Sequence, residues 1–224
     1  MRTRGAALAV MVGVLAAAWL TSGATARADD RRTALPGKTY TWSFDADTLG
    51  RPPIATKVVT GNWAVQEDST GDGVPRLLQQ LESDDGLSQH FIYFVKPFLA
   101  DQEVTVRVRI RSGDIDPSVG VAFQLDPKGK NGYLVRVSGR QQELIVHYIL
   151  WGKRRDIKFA KITPPAANEW HTIAVRRKGE MMEVRYDGEL KLKLRDDRFS
   201  KGTLGLWTED DTIADFAGLA VKSL

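Results

Sequence analysis

The chain contains no cysteine and only three histidines, His90, His147 and His171, in 224 residues. Without thiols it can form no disulfide, perform no thiol chemistry and offer no thiolate to a metal. The histidines fall in no metal-binding spacing such as His-x-x-x-His. No stretch reads as a helix of three turns, and there is neither an internal repeat nor a low-complexity tract. Long apolar runs are absent except one, Gly5 to Leu20. Arg2 and Arg4 precede that run, and Ala26-Arg27-Ala28 follows it with an Ala-x-Ala cleavage pattern before Asp29-Asp30, so residues 1–28 read as a secretion signal. The 224 residues less those 28 leave 196, which suits one all-β domain without disulfides. A strong excess of charge is lacking too. Arg2, Arg4 and Arg27 leave with the signal, so the mature balance is 29 basic against 28 acidic side chains, or +1. That removes any net-charge argument for nucleic acid or an anionic membrane.

What is present is alternation. Residues 29–38 form a polar lead-in, and the domain is expected over 39–224. In Glu103 to Arg111, Val104, Val106, Val108 and Ile110 share one face, while Thr105, Arg107, Arg109 and Arg111 share the other. Val119 to Asp126 follows, with Val121, Phe123 and Leu125 inward and Gln124 outward. Tyr133 to Ser138 and Leu144 to Trp151 form a further pair, and Arg140 to Gln142 turns between them. Short strands are also expected over Thr39–Phe44, Asn62–Gln66, Arg76–Leu81 and His90–Val95. The last third is a meander of Trp170–Arg177, Met181–Tyr186, Glu189–Leu194 and Thr203–Thr208. Asp187-Gly188 between two alternating runs is a strong hairpin signal, because both central turn residues need positive φ. Lys153-Arg154-Arg155 reads as a solvated turn, and Pro164-Pro165 closes an irregular segment. About a dozen short strands with no helix predict a two-sheet antiparallel β-sandwich.

Several runs, in order, carry a family resemblance: Trp42-x-Phe44-Asp45, Glu103-Val104-x-Val106-Arg107-x-Arg109, Gly120-Val121-x-Phe123-Gln124, Gly132-Tyr133-Leu134-Val135-Arg136, Trp170-His171-Thr172, Tyr186-Asp187-Gly188-Glu189-Leu190 and Gly205-Leu206-Trp207-Thr208. Over Trp42 to Val221 the chain resembles the concanavalin A-like jelly rolls, including laminin-G-like domains. It is most similar to the 3-keto-disaccharide hydrolase domain family of secreted bacterial proteins. The resemblance implies a secreted or periplasmic domain that acts on or binds sugars. No cofactor is expected, but many jelly rolls of this class bind a structural Ca²⁺, for which Asp45, Asp47 and Asp215 are the candidate ligands. The closing run Ala214-Asp215-Phe216-Ala217 departs from the acidic pair common in such domains.

A retaining glycosidase of this fold carries Glu-x-Asp-x-x-Glu on one strand, which brings two carboxyl groups within about 5–5.5 Å. No such run exists here, and the Gln-x-His and Tyr-x-Lys-x-Gly spacings of lyases are absent. The outward residues are more informative. Arg107, Arg109, Gln124, Arg136, His147 and Trp207 alternate out of phase with the core. Together they have the composition of a saccharide groove, in which an aromatic face packs on the ring and planar polar groups meet hydroxyls. The expected function is a monomeric, non-catalytic carbohydrate-binding domain with no membrane insertion after signal cleavage. A glycoside hydrolase acting on (3-keto) disaccharides and an envelope structural or protein-interaction domain are the alternatives.

Overall fold

The computed structural model describes residues 36–70, 73, 75–84 and 88–224. The expected signal, 1–28, and most of the lead-in lie outside the described residues. Fifteen strands and no helix occur among the described residues, in two antiparallel sheets. The first sheet runs in the order β13 (Glu189–Arg195), β12 (Met181–Tyr186), β11 (His171–Lys178), β6 (Gln102–Ser112), β15 (Ile213–Ser223), β4 (Arg76–Gln80) and β3 (Trp63–Glu67), with β1 (Thr39–Trp42) on the far half of β15. The second runs β10 (Lys153–Lys161), β9 (Glu143–Leu150), β8 (Gly132–Ser138), β7 (Ser118–Leu125), β14 (Thr203–Glu209), β5 (Gln89–Phe94) and β2 (Thr56–Thr60).

The period of two builds the core between the sheets. Val104, Val106, Val108 and Ile110 of β6 meet Ile173 and Val175 of β11 and Phe216 and Val221 of β15 on the inner face of the first sheet. Val119, Val121 and Phe123 of β7, Tyr133, Val135 and Val137 of β8, and Leu204 and Leu206 of β14 face them from the second. All belong to one buried cluster, and such burial contributes about 1.5–3 kcal/mol per large apolar side chain.

The expected hairpin turn is present. Asp187 and Gly188 have φ of 50° and 80° between β12 and β13. A Cβ at Gly188 would meet nothing within 4 Å, so its backbone alone resists substitution. Gly188→Val is therefore expected to cost about 1–3 kcal/mol in denaturant titration. An unchanged midpoint would show that this turn tolerates any residue.

The structure corrects three elements. Lys153–Lys161 is not a turn and irregular segment but an edge strand, paired to β9 over its length. Thr56–Thr60 forms the opposite edge of the same sheet. Both are polar and largely exposed, as expected of edges protected against further pairing. In β7, Gln124 takes φ 49° and the pairing with β14 shifts register there. That bulge turns Leu125 out of the inter-sheet core and into a second apolar cluster.

Candidate functional site

The second cluster lies on the outer face of the second sheet. It contains Phe91, Tyr93, Ala122, Leu125, Leu134, Ile149 and Trp207. Trp207 is out of phase with the core residues Leu204 and Leu206 and stands on this face, level with Gly120 and Phe91. A Cβ at Gly120 would come within 2.8 Å of the Val135 carbonyl and 2.9 Å of Leu134, and 3.5 Å of the Trp207 ring. Glycine therefore lets Trp207 and Arg136, the neighbours of position 120 on either side, approach each other across β7.

This face is concave. Three strands separate β10 from β14, about 19 Å across a flat sheet at ~4.8 Å per strand. Yet the Arg154 guanidinium of β10 lies 4.7 Å over the Trp207 ring of β14 and forms an ion pair with Glu209. Only a sheet curled toward its outer side brings them together.

The polar end of the groove is a fixed set of charges. Arg136 pairs with Asp116 and, at 2.7 Å, with Glu209. Its Nε donates to Ser118 Oγ at 3.2 Å and its Nη1 to Gln141 Oε1 at 3.2 Å. Its guanidinium lies 5.8 Å over Trp207. Two cations, Arg136 and Arg154, thus face two carboxylates, those of Asp116 and Glu209.

His147 sits beside this set and is only 2 % exposed. The Asp156 carboxylate lies 2.8 Å from Nδ1, and Nε2 has no hydrogen-bond partner among the described residues. Burial pushes the imidazole down to about 4, helped by Arg154 and Arg136 and opposed by Asp156. The ring is neutral at physiological pH. Because the folded value lies below the unfolded one near 6.5, the unfolded state binds the extra proton between them. Stability should fall as the pH drops from about 6.5 to about 4, by on the order of 3 kcal/mol. His147→Leu should remove that part of the slope in denaturant titrations across the range, and equal slopes would show that other groups cause it.

The six expected groove residues do not all meet. Arg136, His147 and Trp207 share the concave face. Arg107 and Arg109 do not: β6 belongs to the other sheet, so they point out from the opposite side of the sandwich. Their guanidinium groups lie 4.6 and 4.3 Å over the Trp170 ring. Gln124 stands at the bulge, where its Nε2 donates to the Ala100 carbonyl at 2.8 Å. Trp207 is also not a bare platform, since Arg154 covers a face of its ring. Arg154 and Glu209 were missed by sequence reasoning: Arg154 stood in a supposed turn, and Glu209 became visible only through Arg136.

The outer face of the first sheet carries a buried ion network. Arg109 donates from Nε to Asp215 at 2.9 Å, from Nη2 to Asp68 at 2.9 Å and from Nη1 to Thr70 at 2.9 Å. Arg111 lies 2.7 Å from the same Asp215 oxygen, and Gln79 donates to the other at 2.7 Å. Burial pushes the Asp68 carboxyl up, but the hydrogen bonds from Thr70 and Arg109 outweigh it and hold it below its ordinary value.

The expected cation site does not assemble. Asp215 is occupied by two guanidinium groups where a metal would have to sit. Asp47 Oδ1 accepts from the Ile54 amide at 2.8 Å, and the carbonyls of Asp45 and Asp47 accept from Arg76 at 2.8 and 2.9 Å. Instead, Glu82, Asp84 and His90 bring one ligand atom each within 4.8 Å of one another. Two carboxylates and an imidazole suit a transition metal better than Ca²⁺, which takes six to eight oxygens.

No protein-family model matches the chain, and no curated relative matches it either. Solved structures do. The carbohydrate-binding module CBM66 from Bacillus subtilis superposes with a TM-score of 0.64 at 22 % identity, over 75 % of this chain and 96 % of its own. The β-glucanase of Bacillus licheniformis gives 0.54 at 12 % identity, over 85 % and 100 %. The Ca²⁺-bound exoplasmic/lumenal domain of VIP36 gives 0.53 at 14 %, over 72 % and 83 %. The chain is a concanavalin A-like jelly roll. At these identities the likeness shows the fold alone, and with no matching family model the resemblance to 3-keto-disaccharide hydrolases carries no further than the jelly roll.

Proposed function

We propose that this jelly roll is a secreted saccharide-binding domain. Its ligand is a neutral sugar, held in the concave groove by His147, Arg136, Glu209 and Trp207. The observation that carries this reading is His147. A buried polar group without a partner costs about 1–3 kcal/mol, and a ligand hydroxyl in the groove would supply the missing bond. A sugar hydroxyl both donates and accepts, so it satisfies the imidazole in either tautomer. Two cations paired with two carboxylates leave no surplus positive charge for a uronate. Arg154, with a side chain 22 % exposed, covers the Trp207 ring, and turning it aside would present that ring to a sugar. The names of the structural neighbours point the same way, as they include a carbohydrate-binding module and a glucanase. Asp116 and Glu209 are both engaged by arginine, so these two carboxylates serve as fixed hydrogen-bonding groups.

Calorimetric titration with neutral gluco-, galacto-, manno- and fructo-oligosaccharides tests the reading. One class should bind, and Trp207→Ala should weaken it by about 1–3 kcal/mol. His147→Leu should abolish binding while leaving the thermal midpoint equal or higher, because it removes an unsatisfied buried polar group. Binding that survives His147→Leu, in a protein that has lost stability, would make His147 a structural residue and refute the proposal.

A further inference from the structure

The apolar end of the groove is bounded by two hairpin tips, residues 126–131 between β7 and β8 and Trp151-Gly152 between β9 and β10. Residues 126–131 and 150–158 hold six basic and two acidic side chains, a net +4, against +1 for all of residues 29–224. The positive charge of a nearly neutral domain is therefore concentrated at one end. One of the two acids is turned inward. Asp126 accepts from the amides of Lys128 and Lys130 at 3.0 and 2.9 Å and from Asn131 Nδ2 at 2.5 Å. The tips are also tied to each other. Trp151 N donates to Asn131 Oδ1 at 2.9 Å, and Gly152 N to the Lys130 carbonyl at 2.9 Å. Lys128, Lys130, Lys153 and Arg155 are all exposed on this joined platform.

Trp151 stands at its summit. It is 76 % exposed and has φ 55°. Positive φ is unusual and strained for a bulky residue, a strain that a turn built with Asn or Gly would avoid. A large aromatic exposed at a strained turn, on a platform that also exposes Lys128, Lys130, Lys153 and Arg155, has the form of a stacking platform. Lys153 and Arg155 follow it along an edge strand about 7 Å apart, so the charges form a line rather than a point.

We propose that the joined tips bind an acidic polysaccharide. Trp151 stacks on a sugar ring, and Lys128, Lys130, Lys153 and Arg155 pair with carboxylate, sulfate or phosphate groups on successive units. A lipid surface fits less well, because Trp151 and the half-exposed Leu150 offer little apolar area to insert. The site is separate from the concave groove, and its ligand is charged where the groove's is neutral.

Affinity electrophoresis of the protein through gels containing polygalacturonate, alginate, heparin or dextran provides the test. The acidic polymers should retard it and dextran should not, and added salt should reduce the retardation through screening. The triple substitution Lys128→Glu, Lys130→Glu, Lys153→Glu should abolish retardation, and Trp151→Ala should weaken it severalfold, both at an unchanged thermal midpoint. Binding of neutral oligosaccharides in the groove should be unaffected by either variant, so the two sites can fail separately. Three outcomes overturn the proposal: no retardation by any acidic polymer, retardation that survives the triple substitution or is indifferent to Trp151→Ala, or capture by phosphatidylglycerol vesicles without capture by acidic polymers.

Discussion

Arg109→Ala is expected to lower stability by about 3–5 kcal/mol, the range for removing one partner of a buried ion pair. The side chains of Arg109, Asp68 and Asp215 are all fully buried, and Arg109 joins the two carboxylates. Without it Asp215 keeps Arg111 and Gln79, but Asp68 keeps chiefly Thr70, with Arg111 no nearer than 4.0 Å. The loss therefore falls mainly on Asp68, the residue that anchors the loop after β3 to the outer face of β6. Chemical denaturation at neutral pH measures it. The depressed carboxyl of Asp68 gives the sign of a second readout. Its contribution is complete above the ordinary value of 3.8 and is lost as the pH falls through the lower folded value. Arg109→Ala should therefore narrow its gap to wild type in strong acid. A loss below about 1 kcal/mol would mean that the network behaves as a solvated surface pair.

Gly202→Ala is the other large effect. A Cβ at position 202 would lie 2.1 Å from the Gln124 carbonyl carbon and 2.4 Å from the Leu125 amide nitrogen. Both atoms are backbone, so no side chain can move aside. Gly202 also exchanges two hydrogen bonds with Leu99, at 2.9 and 2.8 Å, so it cannot retreat without breaking them. The bulge at Gln124 creates this close approach. The expected cost lies at or above the top of the 1–3 kcal/mol range for overpacking, read as a lowered denaturation midpoint. A wild-type midpoint would show that the bulge is free to relax.

These two sites mark where sequence reasoning reaches and where it stops. The alternation in Glu103 to Arg111 correctly assigns Val104, Val106, Val108 and Ile110 to the core, because inward and outward placement is a local property of a strand. It cannot say which sheet the strand joins. Arg107 and Arg109 left the groove for that reason alone: β6 pairs with β11 and β15, contacts made far along the chain. The phase of Trp207 against Leu204 and Leu206 was legible in the same way, and so was the Asp187-Gly188 turn. Gln124 was not, since a glutamine at positive φ has no local signature. Its bulge packs on Gly202, a contact made far along the chain. The strand at Lys153–Lys161 was hidden by its own edge position, where no apolar face is required. Asp215 had the right oxygen for a cation but a wrong neighbourhood, in which Arg109 and Arg111 already supply the positive charge. Of the groove, residue types were readable and partners were not: Arg154 crosses the curved sheet to Trp207, and no spacing in the chain encodes that curvature.

Saccharide binding belongs, on the reading proposed above, to the concave face formed by β8, β7 and β14. Chemical-shift mapping by NMR, with the oligosaccharide selected by calorimetry, tests it most directly. Saturable shifts are expected at the Trp207 indole Nε1–H, the His147 ring and the Arg136 Nε–H, with the neutral His147 ring accepting a hydrogen bond from the sugar. Shifts confined to Arg107, Arg109 and Trp170 on the opposite face, or none with any sugar that binds, would contradict it.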